Sequence, residues 1–168
     1  MWGRTIIGLF LLGVLGCAPG PGDYTLQEVT AADFERFVGA TGYLTDSERF
    51  GWTFQQVTVH SYKVVRGVNF RNDTYPGDEV TQVSYDDATA YCEWAGVRLP
   101  TLEEYWNLST ADQRKDVWDW TQESYLAGGS YLCSIQTCAG FQQGNEKRDI
   151  SLDTTNSHIG FCVVVDRS

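Results

Sequence analysis

The stretch Val83-Ser84-Tyr85-Asp86-Asp87-Ala88-Thr89-Ala90-Tyr91-Cys92-Glu93-Trp94-Ala95-Gly96-Val97-Arg98-Leu99-Pro100-Thr101 is the best-specified piece of this 168-residue chain. Ser84 can cap a helix, and Asp87 stands at the reciprocal position of a capping box, where each side chain bonds the other residue's backbone N–H. Ala88, Tyr91, Cys92 and Ala95 then recur on one helical face, and Gly96 follows as a residue able to close the helix. Cys92 therefore points inward, where a bridge to another element is geometrically reasonable. After Pro100 a further helix is expected, with Thr101 and Glu104 as a second box ahead of Tyr105, Trp106 and Leu108.

Working outward, Thr30 with Asp33 opens an earlier helix that places Phe34, Phe37 and Val38 on one face, and Gly39 offers it a stop. Residues 40–52 are turn-rich with a short helix, and Phe54 to Val65 alternates loosely as one or two short strands. Residues 67–77 read as loop, 109–116 as a polar connection and Val117-Trp118-Asp119-Trp120-Thr121 as a short strand or aromatic turn. Ile159 to Val165 is an apolar run expected to be a buried strand. Short strands, several helices and many Trp, Tyr and Gly residues point to an irregular α+β domain.

Downstream of the helices, Gly128-Gly129-Ser130-Tyr131-Leu132-Cys133-Ser134-Ile135-Gln136-Thr137-Cys138 places two cysteines five positions apart after a glycine pair. Such a pair can be a disulfide, a redox couple or two soft thiolate ligands. The chain has five cysteines, an odd number that asks for an explanation in an exported protein.

The N-terminus supplies one. Arg4 precedes an apolar run, Ile6 to Leu15, too short to span a bilayer. The run ends in Val14-Leu15-Gly16-Cys17, which resembles the lipobox of bacterial lipoproteins. The resemblance implies a leader over 1–17 with Cys17 lipidated, and Ala18 after it implies the outer membrane of a Gram-negative cell. Residues 18–23, rich in Pro and Gly, form a tether, and 24–168 remain as one domain. Without the leader, 11 basic residues face 22 acidic ones, a formal charge of −11. That excess excludes nucleic acid as a partner, because neutralising phosphates needs clustered positive charge. Lipidation would leave Cys92, Cys133, Cys138 and Cys162, among which an oxidising compartment favours at least one structural disulfide.

Taken together, the motifs resemble the formylglycine-generating enzymes, or sulfatase-modifying factors. The resemblance rests on one opening run, Glu28-Val29-Thr30 through Phe37-Val38 and on into Thr41-Gly42-Tyr43-Leu44-Thr45-Asp46-Ser47-Glu48, and on Gly67-Val68-Asn69-Phe70-Arg71. It continues through the stretch 83–101, the Trp118-Asp119-Trp120 motif, Gly129-Ser130-Tyr131-Leu132-Cys133 with Cys138, and Ile159-Gly160-Phe161. Six motifs in order are specific where any one is modest. The resemblance implies a C-type-lectin-like α+β fold and a catalytic strand on which Cys133 and Cys138 hold copper(I) beside Ser130. It also implies oxygen-dependent oxidation of a substrate cysteine to formylglycine, with a cysteine-containing peptide or protein as partner. Two thiolates suit soft, low-coordinate Cu(I). A disulfide between Cys92 and Cys162 is implied in the same way, with Cys162 one position earlier than the family's cysteine.

The chain departs from the family pattern at several points. The segment between Thr101 and Trp118 is shortened, the family's Gly-Asn is Lys115-Asp116, which counts against the second calcium site, and Ser134 and Thr137 replace the usual His and Tyr. The opening strand is read as missing or replaced by the tether. His60 and His158 form no metal motif and read as surface or turn residues, Asp153 as a turn former, and Trp94, Trp106, Trp118 and Trp120 as anchors. Two readings follow: a surface-anchored copper-dependent thiol oxidase, or a non-catalytic ligand- or protein-binding lipoprotein on the same scaffold.

Overall fold

Four helix starts carry the same device, three of them read from the sequence and a fourth, Thr45/Glu48, found in the structure. In the computed structural model, which describes residues 24–58, 61–109, 117–132 and 150–166, the chain runs β1 (Tyr24–Glu28), α1 (Ala31–Thr41), α2 (Asp46–Phe50), β2 (Trp52–Thr58), β3 (Ser61–Arg66) and α3 (Tyr85–Ala95). It continues through α4 (Leu102–Leu108), β4 (Trp118–Trp120), β5 (Leu126–Gly128), β6 (Ile159–Gly160) and β7 (Cys162–Asp166), a mixed α+β order as expected. Capping boxes Thr30/Asp33, Thr45/Glu48, Ser84/Asp87 and Thr101/Glu104 open the helices. Each cap is worth about 1 kcal/mol. The leader, tether, Cys17, His60, the 110–116 connection, Cys133 and Cys138 lie outside the described residues.

Two sequence expectations about the elements are corrected. The helix expected to stop at Gly39 runs on to Thr41, because Gly42 (φ 70°) takes the left-handed conformation and its N–H bonds the Val38 carbonyl. The opening strand is present: β1 pairs antiparallel with β7, Tyr24 against Asp166 through Glu28 against Cys162.

Two further small sheets complete the fold. β2 and β3 form an antiparallel hairpin, and the third sheet has the order β5-β4-β6. The larger core centres on Phe34, whose ring lies 4.9 Å from Phe70, 5.3 Å from Phe37 and 6.1 Å from Phe161. Val80, Val83, Tyr91, Cys92, Trp118, Trp120 and Val163 join it. A smaller cluster of Leu26, Tyr105, Ala127, Cys162 and Val164 packs separately. Of the four tryptophans read as anchors, Trp94 is 44% exposed and contacts the core at its rim, through Phe37 at 5.7 Å and Tyr91 at 5.8 Å.

The expected Cys92–Cys162 bridge is also corrected. Both thiols are free and buried, and they sit in different clusters. Side chains alternate along a strand, so Val163 faces the core that holds Cys92, whereas Cys162 and Val164 face Leu26 and Tyr105. The one-residue displacement of Cys162 turns it away from its expected partner. Burial pushes the Cys92 thiol up to about 12 and raises Cys162 as well, with Asp119 and Glu79 adding to the latter. Neither is a reactive thiolate.

Candidate functional site

The three-stranded sheet brings two distant residues together. β5 runs antiparallel to β4, pairing Gly128 with Trp118, while β6 runs parallel to β4, pairing Ile159 with Trp118. The residues just after β5 and just before β6 therefore meet at the Trp118 end of the sheet. These are Ser130 and His158. Ser130 Oγ lies 3.0 Å from His158 Nδ1, and the residues are 2% and 4% exposed. The Trp118 N–H donates to the His158 carbonyl at 2.8 Å, fixing the histidine backbone on the sheet.

Each side of this pair is held by its own local structure. Gly128 has φ 96°, and a Cβ there would lie 2.4 Å from Tyr105 Oη and 3.1 Å from the Val117 carbonyl. The first glycine of the pair thus lets β5 pass against Tyr105 and deliver Ser130. The Leu132 N–H donates to Ser130 Oγ at 3.2 Å, which turns the chain immediately ahead of Cys133. Tyr131 packs on Tyr75 with ring centroids 5.3 Å apart, and burial raises its phenol.

His158 is placed from the opposite side by residues 155–157. Thr53 Oγ1 donates to the Thr155 carbonyl at 2.9 Å, Asn156 Nδ2 donates to Gln56 Oε1 at 3.0 Å, and the Gln56 N–H donates to Ser157 Oγ at 3.0 Å. Gln82 completes this belt: fully buried, with φ 63°, it donates through Nε2 to Asp73 Oδ1 at 3.1 Å and to the Phe54 carbonyl at 3.3 Å. Its backbone N–H donates to the Asn156 carbonyl at 3.1 Å. A buried non-glycine residue in the left-handed region costs on the order of 1–3 kcal/mol and persists only where its surroundings over-determine it. Here the surroundings are Thr53, Phe54 and Asp73 together with Asn156, on the loop that carries His158.

The other face of β4 presents a second polar group. Asp119 is buried beside Tyr105, whose phenol is raised by burial first and by Asp119 next, and Glu79 is buried nearby. Gly160 lets β6 approach this region, since a Cβ would lie 2.4 Å from the Val80 carbonyl and 3.2 Å from Glu79 Oε1. Among the described residues no group of three or more His, Cys, Asp and Glu is arranged to hold a metal ion. No helix among them is long and apolar enough to cross a membrane.

Of the residues singled out in the sequence, Ser130 is buried and bonded to His158, Cys92 and Cys162 are apart, and Cys17, Cys133 and Cys138 fall outside the described residues. Asp153 is exposed and accepts a bond from Ser151 Oγ at 2.5 Å, as a turn former does. His158, read as a surface or turn residue, does lie in a turn but is buried against Ser130 rather than at the surface. The signal that could have found it was its position one residue before the terminal apolar run.

With this geometry in hand, comparison with known proteins gives consistent results. A sulfatase-modifying factor enzyme 1-like domain matches residues 24–125, ending five positions before Ser130. The formylglycine-generating enzyme of Mus musculus is 41% identical over 102 residues, covering 46% of this chain and 27% of that protein. The formylglycine-generating enzyme of Thermomonospora curvata is 33% identical over 136 residues, covering 64% of this chain and 43% of that one. The inactive C-alpha-formylglycine-generating enzyme 2 of Mus musculus is 32% identical over 115 residues, covering 55% and 37%. The chain thus spans less than half the length of each of these relatives.

Proposed function

The chain belongs to the sulfatase-modifying factor family, and from that premise we propose that it is a membrane-anchored, copper-dependent oxidase of a substrate cysteine thiol. The observation that carries the reading is the buried Ser130–His158 pair, set at the end of a sheet with Ser130 three positions before Cys133 in the sequence. Most serines and histidines that stay buried are hydrogen-bonded for structural reasons. This pair differs in that Ser130 is followed in the sequence by two cysteines, Cys133 and Cys138, with the chemistry of a soft-metal donor set.

Cys133 and Cys138 are the residues that would hold copper(I), and two thiolates leave low-coordinate Cu(I) open to a third sulfur. Bound there, the metal would supply electron transfer to dioxygen. The protein's own groups do the rest. Ser130 orients the incoming thiol, and its burial keeps bulk water from competing for that hydrogen bond. Tyr75 and Tyr131 offer an aromatic wall next to it. The conversion balances as follows: the cysteine CH2–SH becomes an aldehyde, sulfur leaves as hydrogen sulfide, and one oxygen atom enters the carbonyl. The other oxygen leaves as water with two electrons and two protons from an external thiol. Lipidation at Cys17 would hold the domain at the outer membrane through the flexible segment 18–23.

A second reading, a non-catalytic binding lipoprotein, is favoured by one observation: a relative named as inactive is matched at 32% identity.

A Cu(I) titration of the reduced chain separates the readings, run beside a Cys133→Ser, Cys138→Ser double variant. Tight binding in the wild type, lost in the variant, supports the oxidase. Equal, weak binding in both removes it and leaves the binding protein.

A further inference from the structure

Ser130 has one hydrogen to give and two lone pairs to receive with. Among the described residues, two groups reach its oxygen: the Leu132 N–H, which can only donate, and His158 Nδ1, whose role depends on the tautomer. The Leu132 amide takes one lone pair. If Nδ1 is bare, it receives the serine proton, and the hydroxyl can then offer a ligand only its remaining lone pair. If Nδ1 carries a hydrogen, it fills the second lone pair, and the serine proton is the one group left to present.

We infer that His158 is a positioning residue that donates from Nδ1 to Ser130 and so sets the Ser130 hydroxyl as a hydrogen-bond donor toward an anionic sulfur or oxygen at the site. This inference rests on the reading of the site as one that receives a substrate thiolate. A thiolate, or an oxygen anion that carries no proton, accepts hydrogen bonds and gives none, and a charge-assisted bond of that kind is about twice as strong as a neutral one. A serine whose proton is drawn into the histidine would turn a lone pair toward that charge. The geometry keeps the arrangement rigid on both sides. Residues 155–157 are tied to Thr53 and Gln56, and the Trp118 N–H holds the His158 carbonyl at 2.8 Å. Neither partner needs to move to make the bond, so its direction follows the tautomer of His158.

The direction of a hydrogen bond can be read without turnover. The full chain, labelled with 15N-histidine and free of metal, is examined by long-range 1H–15N correlation beside Ser130→Ala, His158→Asn and His158→Gln. The expected result is a proton on His158 Nδ1 in the wild type, with a resonance displaced in Ser130→Ala. A neutral ring protonated only on Nε2 overturns the inference. A second measurement uses oxidation of a synthetic single-cysteine peptide by the copper-loaded chain. His158→Asn, whose amide nitrogen can donate from nearly the Nδ1 position, keeps kcat/KM within about threefold. His158→Gln, which places its amide further out, loses about tenfold or more, as expected for a lost bond to a charged group. The loss is not deepened by adding Ser130→Ala, because His158 acts through Ser130. Additive losses, or equal activity of the Asn and Gln variants, count against the inference. A wild type that oxidises no peptide fails the thiol-oxidase reading, and the metal-free correlation still decides the hydrogen-bond direction separately.

Discussion

Asp87 ties two helices together and makes stability depend on pH in an unusual direction. Its carboxylate accepts from the Ser84 N–H at 2.9 Å, closing the box of α3, and from the Asp46 N–H and Tyr43 Oη, both at 3.1 Å. Ser84 Oγ in turn donates to Asp46 Oδ2 at 2.8 Å, so the starts of α2 and α3 are joined through two buried carboxylates. Burial is the largest influence on Asp87, and with Asp46 nearby it outweighs the hydrogen bonds, moving the group from 3.8 to about 6. A carboxyl raised in the folded state contributes stability that is complete below its unfolded value and is lost as pH rises through the folded one. A rise of about two units corresponds to about 3 kcal/mol in full, of which about 1.4 kcal/mol disappears between pH 5 and pH 7.5. Groups lowered in the folded state act elsewhere: Glu104, held at about 2 by Arg98, and Asp33, lowered by Thr30, lose their contribution only as pH falls toward and below their usual range. Urea denaturation of wild type and Asp87→Asn at several pH values isolates the group, since any histidine contribution is common to both chains. Asn keeps Oδ1 for Tyr43 and Asp46 but turns an amide toward the Ser84 N–H, so the variant is less stable overall. The stability gap between the two chains should narrow by about 1.4 kcal/mol from pH 5 to pH 7.5. A gap that stays constant or widens would refute the reasoning.

Two further outcomes follow from packing. Gly160→Ala should destabilise the domain by about 1–3 kcal/mol, because its Cβ would meet the Val80 carbonyl at 2.4 Å and backbone cannot swing aside; an unchanged urea midpoint would show that β6 is not pressed against the Val80 backbone. Cys92 and Cys162 should resist maleimide in the native chain and each take one adduct after unfolding without reductant. Recovery of a Cys92–Cys162 linked peptide would contradict the facing of β7 described above.

The helices were legible because their information is local. Each box is a pair three residues apart, and each names its own start, as with Ser84 and Asp87. β1 was not legible, since only Leu26 of its five residues is buried and its partner, β7, lies at the far end of the chain. Strand facing failed for a related reason: the run 159–165 is apolar throughout, so nothing in it told which of Phe161, Cys162 and Val163 turns toward α3. The same ambiguity hid His158. Ser130 stood out through its cysteine neighbours, but the parallel pairing of β6 with β4, which carries His158 to it across 28 residues, has no local signature.

The central claim, oxidation of a substrate thiol at this site, is tested most directly by incubating the copper-loaded full chain with a single-cysteine peptide, dioxygen and a thiol reductant, then trapping aldehyde with an aminooxy reagent for mass spectrometry. The account predicts an oxime-bearing peptide with the wild type and none with Cys133→Ser or Cys138→Ser. Unaltered peptide with a wild type that holds copper tightly would contradict it.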